Sequence, residues 1–86
     1  MALKTQPEGE IFGRRLRELR LERNLTQDAL AQIVATSKPF ISDMERGVKV
    51  PSLTMILRLA KALDCSLYDL VEVFDRSSRA RERSKS

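Results

Sequence analysis

The side chains best suited to chemistry gather in one stretch, Leu25 to Gly47, LTQDALAQIVATSKPFISDMERG. Ser37, Lys38, Pro39 and Phe40 follow one another there, Asp43 comes one helical turn after Pro39, and Arg46 and Lys49 flank the exit. Set along one helix, these groups suit recognition rather than bond-making. Lys38 can donate to guanine O6 and N7, Ser37 can bond a base edge or a phosphate, Pro39 or Phe40 can touch a thymine methyl, and Asp43 can accept from cytosine N4. The DNA major groove admits one α-helix, and the N-terminal residues of that helix meet the base edges. Thr36, in the turn just before, borders the same set. Gln27 opens the preceding helix, where free N–H groups and the positive end of the dipole attract a phosphate. Arg46 and Lys49 are further phosphate candidates.

Catalysis has little to draw on. The chain has no His, no Gly-rich phosphate loop, no metal-ligand cluster and no paired carboxylates beside a plausible cleft, so the expectation is no enzyme, no cofactor and no metal. Cys65, alone within ALDCSLYDL, cannot form an internal disulfide and reads as a small core residue. No apolar run approaches a membrane span and the first ten residues lack the core of a signal peptide, so a cytoplasmic protein is expected. Eighty-six residues suit one small binding module. The formal charge is +4, yet residues 1–75 hold eleven basic and eleven acidic side chains, and residues 76–86 hold five basic and one acidic. All the excess charge therefore sits in the tail, and any DNA-binding argument must rest on where the other charges lie.

The elements that position these groups are helical. Hydrophobic content of 42% with 5% aromatic residues and few β-branched runs predicts an all-α core of Leu, Ile, Val and Ala. Residues 1–7 read as a flexible arm, with Thr5 and Glu8 spaced as a weak capping box. A first helix runs from about Glu8 to Arg23 on a Phe12, Leu16, Leu19 stripe; its arginine-rich outer face reads as solvated, and Gly13 suggests a close approach. Thr26 caps a helix from Gln27 to Val34, and Ser37 caps a third that Gly47 closes. Ser52 caps a fourth through Leu63, whose broad face of Leu53, Ile56, Leu57, Leu59, Ala60 and Leu63 predicts a central place in the core. Ser66 and Asp69 form a capping box for a last helix from Leu67 to about Val73. Apolar residues surround that last helix, and Leu67, Tyr68, Val71 and Phe74 are the expected interface of a two-fold dimer. Residues 75–86 read as a disordered basic tail.

LTQDALA, SKPFISDMERG and PSLTMILRLAKAL together resemble the helix-turn-helix domain of phage repressor and Cro-like regulators, the xenobiotic-response-element family. The landmarks are Arg20, Thr26-Gln27, Ile41-Ser42, Glu45-Arg46-Gly47 and Pro51-Ser52, and the resemblance covers residues 11–74. It implies a compact five-helix bundle of the lambda-repressor type, over residues 8–74, that binds double-stranded DNA. It also implies that Arg20 and Glu45 form a structural ion pair joining the first helix to the end of the third. The expected function is a homodimeric, sequence-specific transcription regulator with helix 37–46 in the major groove of a two-fold-related operator. The alternative is a protein-interaction adaptor or antitoxin-type module that uses the fold to bind a partner protein. The chain departs from the family pattern at the turn, where Ala35 and Thr36 stand in place of Gly and an apolar residue. A non-Gly residue at positive φ costs about 1 kcal/mol.

Overall fold

Each interhelical junction combines a hydroxyl that begins one helix with a left-handed residue that ends another. A computed structural model describes residues 7–75 of the chain. Its helices are α1 (Pro7–Glu22), α2 (Gln27–Ile33), α3 (Lys38–Glu45), α4 (Leu53–Ala62) and α5, residues 67–75, with no strand among the described residues. The proposed arm, apart from Pro7, and the tail beyond Asp75 lie outside the described residues. Pro7 itself is helical, as its missing N–H permits in a first turn.

Thr26, Ser37 and Ser52 each accept a hydrogen bond from the backbone N–H three residues on, at Ala29, Phe40 and Met55. Such a cap satisfies a donor that the helix leaves orphaned. At the start of α5 the box is reciprocal: the Ser66 N–H donates to Asp69 Oδ2 at 3.0 Å, and the Asp69 N–H to Ser66 Oγ at 3.1 Å. The Ser66 backbone N–H bonded to the carboxylate, aided by the Ser66 hydroxyl beside it, holds the Asp69 pKa below the ordinary 3.8.

The other ends share one geometry. Leu25 N–H reaches back to Arg20 C=O, Thr36 to Ala31, Val48 to Asp43 and Cys65 to Ala60, so α1 through α4 all finish in the same six-to-one hydrogen-bonded turn. That turn needs a positive φ at one residue, and Asn24, Ala35, Gly47 and Asp64 supply it at 57°, 59°, 80° and 50°. Gly47 adopts this conformation freely, and Asn and Asp tolerate it. Ala35 alone among the four has neither aid.

Phe12, Leu16 and Leu19 of α1 meet Leu30, Ala31, Val34, Ile41 and Met44 in the core, closed from the other side by Leu59, Ala60, Leu63 and Leu70. The broad apolar face expected of α4 is only partly inward. Leu53 and Leu57 are 67% and 50% exposed, because the short helix turns its Leu59, Ala60 and Leu63 edge to the core and leaves the opposite edge uncovered. A stripe read from sequence cannot distinguish a buried edge from one held open for another surface. In α5, Leu70 is fully buried, Val71 and Phe74 pack half-buried against the core, and Leu67 and Tyr68 are exposed.

The arginine-rich face of α1 also departs from its expected solvation. Arg15 Nε donates to the Asp69 carbonyl at 2.8 Å and its Nη2 lies 3.5 Å from Glu72 Oε1, while Arg23 Nε donates to the Leu63 carbonyl at 2.6 Å. These long side chains reach across to α5 and to the unpaired carbonyls closing α4. They act as polar staples.

Candidate nucleic-acid interface

Helix α3 is held from behind by a buried ion pair. Arg20, 7% exposed, presents Nε to Glu45 Oε2 at 2.6 Å and Nη2 to Oε1 at 3.1 Å, a two-pronged pair between α1 and the end of α3. Its Nη1 donates to the Leu25 carbonyl at 2.8 Å, so the same guanidinium grips the entry to α2. Gln27 Nε2 donates to Glu45 Oε1 at 3.1 Å. One arginine, one glutamate and one amide thus join three helices, and every polar atom buried there is satisfied.

Close backbone approach sets the distance as well as the angle. A Cβ on Gly13 would stand 2.5 Å from the Glu45 carbonyl oxygen, and one on Gly9 would stand 2.8 Å from that of Gly47. Only a hydrogen at these positions lets α1 lie this near the end of α3. Helix α3 also packs along α2, with Ile41 and Met44 wholly buried.

With its inner face fixed, α3 turns its start outward. Ser37, Lys38 and Pro39 are exposed, as are Arg46 and Lys49 beyond its end; Thr36 and Asp43 are half-buried. Ser37 Oγ accepts the Phe40 N–H at 3.2 Å, which leaves its own O–H free to donate outward. Phe40 is half-buried against the core and offers only its margin. Asp43 and Arg46 are engaged with each other through Oδ1 and Nη2.

Two expectations change in detail. The Gln27 amide, expected to face a phosphate, spends one of its two N–H donors on Glu45, so only the second is left for anything outside. Arg46, expected as a phosphate candidate, also donates one hydrogen bond to Asp43. The Gln27 to Glu45 bond, the Arg15 and Arg23 staples and the Asp43 to Arg46 pair escaped sequence reasoning. The spacing of Asp43 and Arg46, three apart on one helix, was the one local signal available.

A buried charge clamp behind an exposed, polar helix start, preceded by a short helix and a tight turn, defines a helix-turn-helix protein. The helix-turn-helix family profile matches residues 16–70, and the chain belongs to that family of DNA-binding transcription regulators. It is 43% identical over 58 residues to the HTH-type transcriptional regulator DdrOP3 of Deinococcus deserti, an alignment covering 67% of this chain and 45% of that protein. The chain thus spans less than half the length of that relative. Among solved structures it is similar to the restriction-modification controller protein C.AhdI from Aeromonas hydrophila, with a TM-score of 0.73, 38% identity and coverage of 76% of this chain and 98% of that one. The P22 c2 repressor, solved in complex with a synthetic operator, matches with a TM-score of 0.64, 38% identity and coverage of 70% and 92% respectively. No helix among the described residues is long and apolar enough to cross a membrane.

Proposed function

We propose that the protein is a cytoplasmic, homodimeric regulator of transcription that binds double-stranded DNA sequence-specifically, each subunit laying α3 into one of two successive major grooves of a two-fold-related operator. The observation that carries this reading is the contrast on α3 itself: Glu45 is clamped by Arg20 and Gln27, while Ser37, Lys38 and Pro39 project uncovered. Reading bases requires a helix start held still by contacts that DNA does not have to supply. In this arrangement Ser37, Lys38, Pro39 and the edges of Thr36 and Phe40 face the groove, and Lys49 with the second Gln27 N–H faces phosphates. The likeness to a repressor solved on its operator supports the docking mode.

The dimer contact belongs to α5. Leu67 and Tyr68 are 39% and 58% exposed, Val71 and Phe74 are half-covered, and a second copy would remove this apolar surface from water. Leu53 and Leu57 on α4 offer further uncovered apolar area.

Titration onto random duplex DNA across a salt series tests the reading. Each neutralised phosphate contributes a slope of about −0.9 in log affinity against log salt, so a steep loss is expected. Indifference to duplex DNA at low salt overturns it.

A further inference from the structure

We propose that Asp43 and Arg46 act as one unit, in which Arg46 bridges Asp43 to a phosphate and the carboxylate so held accepts a hydrogen bond from cytosine N4. The inference rests on the DNA-binding reading above and names the base pair that one turn of α3 selects.

Pro39 and Asp43 of α3 and Arg46 at its C-cap, at i, i+4 and i+7, form a single stripe opposite the buried Ile41 and Met44. A carboxylate on a surface that meets phosphates is repelled unless something neutralises it. Here Arg46 Nη2 donates to Asp43 Oδ1, with the arginine side chain 57% exposed and the aspartate 25% exposed, so the guanidinium stands outermost of the two. A guanidinium carries five donors in a planar fork, and this bond uses one, leaving others directed outward to a phosphate oxygen. The second carboxylate oxygen, Oδ2, keeps its capacity to accept.

The backbone beneath is anchored as well. The Asp43 carbonyl accepts the N–H groups of Val48 at 2.9 Å and Lys49 at 3.2 Å in the turn that ends α3. Binding a phosphate through Arg46 therefore aims the carboxylate, and Arg46 is a positioning residue for Asp43.

A carboxylate only accepts, so it seeks an exocyclic amino group. In the major groove the adenine amino group lies between two acceptors, N7 on its own ring and thymine O4 across the pair. The cytosine amino group has an acceptor, guanine O6, on one side only. The pair favoured by Asp43 is therefore C·G, with the cytosine toward the Pro39 to Arg46 stripe.

Selection of binding sequences from random duplex DNA by the full chain and by three variants tests this, with titrations on the selected and scrambled duplexes and circular-dichroism melting as a fold control. The unaltered chain is expected to enrich one fixed C·G pair in each half-site. Asp43→Ala should make that pair degenerate, leave the others in place and lower the ratio of specific to non-specific affinity roughly ten- to a hundredfold. Asp43→Asn should move the preference toward A·T, since a carboxamide pairs with adenine N6 and N7. Arg46→Ala should lower affinity for every sequence and also weaken the cytosine preference, which loss of a plain phosphate contact would not do. Undiminished cytosine enrichment by Asp43→Ala overturns the base assignment, and undiminished enrichment by Arg46→Ala overturns the coupling. If the unaltered chain binds duplex DNA but selects no sequence, the inference fails with the specificity reading; if it ignores DNA altogether, the function proposed above fails first.

Discussion

The two ends of this small bundle are built on opposite principles. Around α1, α2 and α3 the contacts are polar, directional and close: a two-pronged ion pair, an amide bond to the same carboxylate, and two glycines against the carbonyls of Glu45 and Gly47. Around α4 and α5 the attachment rests on apolar burial of Leu59, Leu63 and Leu70, with two arginine staples to backbone carbonyls at its margin, and Leu53, Leu57, Leu67 and Tyr68 are left uncovered. Hydrophobic burial is non-directional, whereas a forked ion pair tolerates one geometry. The difference teaches where precision is required. One end fixes the orientation of a helix, and the other leaves apolar surface uncovered.

The largest expected effect breaks the precise end. Glu45→Ala leaves the Arg20 guanidinium buried without its partner and Gln27 without its acceptor, and should cost about 3–5 kcal/mol by denaturant unfolding. Lys38→Ala, at an exposed position on the same helix, should stay within about 0.5 kcal/mol of the parent. Equal unfolding curves for the two would remove the distinction between clamp and reading face. Gly13→Ala comes next: the added methyl must push α1 away from the Glu45 carbonyl, at about 1–3 kcal/mol, and DNA affinity should fall further than stability alone explains.

Two smaller changes sharpen the contrast. Ala35 holds the α2–α3 turn at a φ of 59°, so Ala35→Gly should relieve about 1 kcal/mol of backbone strain, offset in part by the entropy of the unfolded chain. A rise in melting temperature is the expected sign, and a fall would mean that the turn carries no strain. The smallest effect lies at the other end, in the Ser66 and Asp69 box. Because the folded state holds the Asp69 pKa below 3.8, its contribution is present above that value and disappears as pH falls through the lowered one. Protection of the amides at the start of α5, taken relative to their intrinsic exchange rates, should therefore fall on acidification below about pH 4, and Asp69→Asn should blunt that response while the protection of the α1–α3 amides remains unchanged.

Much of this organisation is local and was legible in the residues. The caps at Thr26, Ser37, Ser52 and the Ser66–Asp69 box follow from a hydroxyl or carboxylate within three residues of the donor it serves. The unusual Ala35 turn was visible because the conformation such a turn needs penalises a Cβ. The width of the α4 face was misread, since periodicity records which residues are apolar and not how many surfaces come to meet them. The solvated reading of the α1 arginines failed for a related reason: Arg15 and Arg23 sit on the wet side of a helical wheel, yet their side chains are long enough to find carbonyls on elements forty or more residues away.

By itself, then, the chain determined its helices, their caps, its membership of the helix-turn-helix class and the groups crowded at the start of α3. These depend on neighbours within a turn or two, whose geometry the backbone imposes. Tertiary structure alone decided which of those groups are free. It spent one Gln27 donor on Glu45, set Arg46 over Asp43, turned Leu53 and Leu57 outward and brought two glycines against α3. Each of these outcomes depends on the angle and distance between helices, quantities that no stretch of residues contains until the core has packed.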